Sequence, residues 1–164
     1  MRIAEKGIRV LPRDCCLVGG TLPTLRSGEC LGEIDVTPNQ MNYELSQKFY
    51  FEAAHTLHRE IDAGSSRRVH GHTYHAQVFV RGSPDPITQM VVDLGLLRRE
   101  IDRVRDLLDH RFLDDVPELG AATLEGLCAF IYHNLSRALP NISKVRVERP
   151  ASGDCCDLDP VSRG

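Results

Sequence analysis

No apolar run in this 164-residue sequence is long enough to cross a membrane as a helix, so nothing in it predicts a helical membrane protein. Charge of one sign is also lacking. The formal net charge is −3, from 20 basic and 23 acidic side chains. The short clusters Arg67-Arg68 and Arg98-Arg99 read as solvated surface, so nucleic acid is not an expected partner. Six cysteines are present, yet no C-x-x-C occurs, and Cys15-Cys16 and Cys155-Cys156 are adjacent pairs. That spacing fits neither a disulfide framework nor a zinc ribbon and predicts reduced thiols. The first residues, "MRIAEKGIRVLPRD", lack the basic, apolar and small-residue sections of a secretory signal, so the expected location is cytoplasmic. No internal repeat is visible.

What is present is a chain with 41% apolar and 26% charged residues, the balance of a soluble globular protein of one domain. Residues 1–40 scatter Gly, Pro and Thr without a sustained period and are expected to be an N-terminal extension, loop-rich or poorly ordered. The patterned domain is expected to span 41–164. Alternation predicts strands from Tyr43 to Ala54 and from Val69 to Arg81. Leu94, Leu97, Ile101, Val104 and Leu108 recur at helical steps behind Asp93, a suitable N-cap. Thr123 caps a second helix with the stripe Leu124, Leu127, Cys128, Ile131 and Leu135, which Pro140 forbids from continuing. The stretch between the helices, "DHRFLDDVPELGAA", reads as loop. A further strand follows at Lys144 to Glu148, with at most a short one in the tail. This order predicts an α+β domain, an antiparallel sheet with both helices on one face. The other face then needs either a polar exterior or a neighbouring subunit.

The chemistry concentrates in "HGHTY". Side chains at i and i+2 of a strand share a face, so His70 and His72 present two imidazoles side by side, with Gly71 leaving the opposite face open. His55 ends the preceding strand, and a hairpin would return it beside His70. Three nitrogens with a fourth position open is the ligand count of catalytic zinc. A lone H-x-H is common on exposed strands, so the third histidine carries the weight. His58, His75 and His133 fall outside the pattern. Asp109 and His110 offer a carboxylate and an imidazole for acid-base work, or simply a favourable charged helix end. Glu148 ends a strand beside Arg149. It reads either as a surface ion pair or as a carboxylate accepting the parallel N–H donors of a pterin or guanine edge.

In order, "FEAAH", "HGHTY", "VVDLGLL", "LDHRFLDD", "ATLEGL" and "VRVE" resemble the 6-pyruvoyl-tetrahydropterin synthase family, in particular the 6-carboxy-tetrahydropterin synthases. The likeness runs from about Phe49 to Glu148. It implies a tunnelling fold (T-fold), in which sheets of several subunits join into an oligomeric barrel with helices outside, as trimers or stacked hexamers. It also implies Zn2+ bound by His55, His70 and His72, a pterin anchored by Glu148 with Thr123 and Glu125, and Asp109 with His110 as the acid-base pair, at sites between subunits. The implied reaction is zinc-dependent lyase chemistry on 7,8-dihydroneopterin triphosphate. One branch gives a pyruvoyl pterin; the other gives 6-carboxy-5,6,7,8-tetrahydropterin, an early step toward queuosine.

Three positions depart from the family pattern. Ser66 stands where the proton-abstracting cysteine is usual, four residues before H-G-H; Arg149 and Ala122 replace a frequent threonine and proline. A thiol near pKa 8.5 can be made a thiolate, whereas an alkyl hydroxyl cannot be a free base at neutral pH. Three accounts of Ser66 follow. His110 removes the proton with Ser66 as relay; Glu60, Asp62, Cys155 or Cys156 reaches in; or the chain is a non-catalytic or altered-specificity pterin-binding paralogue.

Overall fold

The computed structural model describes residues 41–61 and 63–160. The expected extension 1–40 and the candidate Asp62 lie outside the described residues. Strand β1 (Tyr43–His55) and strand β2 (His70–Gly82) pair antiparallel over their full length, from Tyr43 opposite Gly82 to His55 opposite His70. The connection between them includes a single helical turn, α1 (Ala63–Ser66). Helix α2 (Leu94–Leu108) is followed by a two-residue strand, β3 (Arg111–Phe112), and a 3-10 turn (Leu113–Asp115). Helix α3 (Leu124–Ser136) precedes β4 (Ile142–Arg149) and the edge strand β5 (Asp154–Leu158).

The sheet order is β3-β1-β2-β4-β5. All pairings are antiparallel except β3, which runs parallel to β1. The expected antiparallel sheet is therefore mixed at one edge, because two residues are too short to carry a readable period. The tail does form a strand. Helix α3 ends at Ser136, Leu139 N–H still reaches the Leu135 carbonyl at 2.9 Å, and Pro140, which has no N–H, stands where the next such bond would form.

Both helices cover one face, α2 over β1 and α3 over β4 and β5. Leu97, Ile101, Val104 and Leu108 of α2, together with Leu127, Ile131 and Leu135 of α3, meet Phe51, Tyr74, Val78, Val145 and Val147 in one core. Leu94, expected in the stripe, is exposed at the first turn. The Asp93 side chain accepts from Gly95 N–H at 2.7 Å, and Thr123 accepts from Gly126 N–H at 3.1 Å, satisfying donors that a helix start leaves unpaired. On the outer face, Glu44 meets Arg81, Gln77 meets Ser46, and Arg146 meets Asp157. That face carries largely polar side chains, with Tyr50 exposed among them.

Candidate functional site

Strand alternation puts Phe51, Ala53 and His55 on the inward face of β1, and His70, His72 and Tyr74 on the inward face of β2. The three imidazoles therefore meet at the end of the sheet where the β1–β2 connection begins. One ring nitrogen from each lies within 4.8 Å of the others. Ring centroids are 4.6, 4.9 and 5.2 Å apart.

Hydrogen bonds settle which nitrogens carry lone pairs. His55 Nδ1 lies 2.9 Å from the Ala122 carbonyl and His70 Nδ1 lies 2.8 Å from the Arg68 carbonyl. A carbonyl only accepts, so both Nδ1 atoms carry a proton, and in the neutral rings the lone pairs are on Nε2. His72 Nε2 lies 3.4 Å from Arg149 Nη1, a group that only donates. It too is an acceptor. His55 Nε2 is buried with no hydrogen-bond partner, a costly state unless something binds it. Burial, then neighbouring positive charge, lowers the His72 pKa to about 4; burial also lowers that of His55. Neutral imidazoles are the form that ligates metal, and the outer N–H groups of His55 and His70 are anchored as those of metal-bound histidines usually are. In a tetrahedral zinc site such nitrogens sit about 3.3 Å apart, so small ring rotations close this triad. The residues fit a metal ion.

His55 borders a cavity of about 310 Å³ that it lines with Tyr74, Thr123, Glu125 and Arg149, among others, and His72 lines a neighbouring one of about 250 Å³ with Glu52 and Thr73. Thr123 and Glu125 reach it because they start α3, immediately after the Ala122 carbonyl that holds His55. Gly126 permits that path, since a Cβ there would overlap the Ala121 carbonyl oxygen. Asp114 fixes the chain just beyond His55, accepting from the Thr56 N–H and hydroxyl.

Other expected residues are placed elsewhere. Glu148 pairs in register with His75, and its carboxylate lies 3.8 Å from His75 Nδ1 on the outward face, opposite the side carrying the triad. Asp109 accepts from Glu52 N–H at 2.9 Å, and His110 N–H donates to the Glu52 carbonyl at 2.6 Å, so both are tied to β1. The His110 side chain is 76% exposed, at a residue with φ of 55°. It lines a different cavity of about 580 Å³ with Phe112, Pro117 and Phe130. Ser66 is buried at the end of α1, and its carbonyl accepts from Leu57 N–H at 2.8 Å. Glu60 is exposed on a shallow surface cavity with Arg67. Cys155 is exposed opposite Glu148, while Cys156 packs inward; both are free thiols, as is Cys128. Tyr74 and Asp154 were not anticipated in the pocket, although Tyr74 sits two residues after His72 and the same alternation reaches it.

A model of the 6-pyruvoyl tetrahydropterin synthase family matches residues 44–160. The 6-carboxy-5,6,7,8-tetrahydropterin synthase of Synechocystis sp. is 36% identical over 108 residues, covering 62% of this chain and 81% of that protein. The 6-pyruvoyl tetrahydrobiopterin synthase of Poecilia reticulata is 44% identical over 75 residues, covering 43% of this chain and 51% of that protein. The solved structure of Caenorhabditis elegans 6-pyruvoyl tetrahydropterin synthase superposes with a TM-score of 0.64 at 27% identity, covering 73% of this chain and 96% of the other.

Proposed function

The chain belongs to the 6-pyruvoyl tetrahydropterin synthase family and has its T-fold, and from that premise we propose that it is a zinc-dependent lyase converting 7,8-dihydroneopterin triphosphate to 6-carboxy-5,6,7,8-tetrahydropterin, as in queuosine synthesis. The observation that carries this reading is the convergence of three lone-pair nitrogens, two of them anchored through Nδ1 to backbone carbonyls. His55, His70 and His72 would hold the metal. Bound there, zinc supplies Lewis acidity that stabilises oxyanion charge on the substrate side chain.

The remaining roles belong to the protein's own groups. Thr123 and Glu125 line the pocket and orient the guest. Glu148 presents an outward carboxylate to the N–H edge of a pterin, which places the ring between this face and another copy of the chain. Asp109 and His110 serve as the acid-base pair of a neighbouring subunit's pocket, since His110 lies on a cavity apart from the triad. A homo-oligomer, trimer or hexamer with the sheets closed into a barrel, is therefore part of the proposal, as is a cytoplasmic location. Ser66 contributes a hydroxyl in place of a thiol and would relay, not abstract, the proton.

Incubating zinc-loaded protein with 7,8-dihydroneopterin triphosphate and identifying products by mass spectrometry tests the reading. The carboxy product is expected. Absence of both carboxy and pyruvoyl products would overturn the catalytic claim. The second reading, a pterin-binding protein without the reaction, is favoured by serine at position 66. Under that reading the substrate returns unchanged, and Ser66→Cys yields product where the native chain does not.

A further inference from the structure

The histidine pocket contains a fixed guanidinium that metal ligation alone does not require. Arg149 leaves the end of β4 and directs Nη1 to within 3.4 Å of His72 Nε2. Its Nη2 donates to Asp154 Oδ2 at 2.6 Å, and the Ser152 hydroxyl donates to the same oxygen at 2.7 Å. The β4–β5 turn thus holds the group in place. Arg149 Nε is buried with no protein acceptor, and so is the hydroxyl of Tyr74, which lines the same cavity.

Arg149 and a metal compete for one lone pair. An ion that takes His72 Nε2 removes the acceptor that Arg149 Nη1 now faces, and leaves a part-buried guanidinium short of a partner at the ion's border. Leaving such a donor unmade is expensive. The ionised groups on the cavity wall, Arg59 and Arg149 against Glu125 and Asp154, cancel in formal charge. A divalent ion on three neutral imidazoles then makes the pocket positive by two charges, and an anionic guest would offset them. A guanidinium is the side chain best matched to carboxylate or phosphate oxygens.

We propose that Arg149 makes the histidine pocket an oxyanion subsite, in which its guanidinium binds an anionic oxygen of the guest beside the metal position, with the Tyr74 hydroxyl as a second donor. Arg149 thereby selects for guests carrying a carboxylate or a phosphate over neutral ones. The inference rests on the proposed function for the metal ion beside Arg149 and for the identity of the guest.

The full chain, zinc-loaded, is titrated with pterin and with 6-carboxypterin by pterin fluorescence, and with inorganic tripolyphosphate by calorimetry. At least one anion is expected to bind, and Arg149→Gln to weaken it about tenfold or more, the size of a lost charge-assisted hydrogen bond. Pterin affinity is expected to change by less than about twofold, because pterin has no anionic oxygen for the guanidinium. Arg149→Lys keeps the charge without the planar fork and is expected to fall between the two. A loss confined to 6-carboxypterin identifies the carboxylate as the guest group; one confined to tripolyphosphate identifies the phosphate. If neither anion binds the wild type, or both variants bind every anion as the wild type does, the inference falls. Failure of both pterins to bind removes the pterin reading instead, and tripolyphosphate alone then decides on Arg149.

Discussion

An imidazole becomes a useful metal ligand only when it is neutral and its lone pair is aimed; in this protein burial favours the neutral form of His55 and His72, and single contacts aim His55 and His70. The Ala122 and Arg68 carbonyls hold the protons of His55 and His70 on Nδ1. Burial keeps His72 neutral far into the acid range, with its pKa lowered from 6.5 to about 4. In metal-free protein this has a sign that can be checked. Between those two values the unfolded chain binds the His72 proton and the folded chain does not, so stability falls as the pH drops from about 6.5 towards 4. Urea midpoints across that window should decline, and His72→Gln should flatten the decline. Stoichiometric zinc by metal analysis is expected for the native chain, and His70→Ala or His72→Ala should abolish it; an unchanged metal content would remove the triad from the site. Tyr74 is also tuned by burial, its phenol pushed up to about 12. It stays a neutral donor throughout the physiological range.

At the scale of elements, the site is the meeting of two strand ends with one helix start. The strands supply His55, His70 and His72 through alternation, and α3 supplies a carbonyl, a hydroxyl and a carboxylate from Ala122, Thr123 and Glu125. Gly126 is where stability and function separate. A methyl group there would overlap the Ala121 carbonyl next to the one that orients His55. Gly126→Ala is expected to cost about 1–3 kcal/mol in urea unfolding and to reduce zinc occupancy. Asp93→Ala removes a comparable cap from α2, away from the pocket, and is expected to cost about 1 kcal/mol with zinc binding retained. Equal zinc loss in both variants would show that general destabilisation, not the Ala122 carbonyl, sets the metal site. The periods that made α2, α3, β1 and β2 legible are those of long amphipathic segments. β3 and α1 were not legible, since two and four residues carry no period.

At the scale of the molecule, the sheet divides the expected residues between two sides. The triad and Arg149 lie inward, Glu148 and His75 lie outward, and His110 stands at a separate cavity while Asp109 is held by the Glu52 N–H. One chain therefore does not gather the proposed acid-base pair and the metal position into one pocket, and association of copies is what would unite them. Light scattering of the purified protein should give a trimer or hexamer. A sharper check uses two disabled variants: His72→Ala and His110→Ala, each inactive alone, should regain activity when unfolded and refolded together, because mixed oligomers contain some intact composite pockets. No recovery from mixed oligomers would place the acid-base pair within a single subunit.

The sequence by itself determined the helix and strand order, the shared face of His70 and His72, and the family's motif set, because these depend on periodicity and on neighbours close in the chain. It also exposed the serine at position 66 as a departure. His55 was legible too, as the end of the strand that a hairpin returns beside His70; only the tertiary structure decided that Ala122 orients it and that Arg149, braced by Asp154, stands at the edge of the triad. Those relations join residues as far as 67 and 77 positions apart. Strand register and helix packing bring such distant groups together, and no local pattern encodes which partner each will meet.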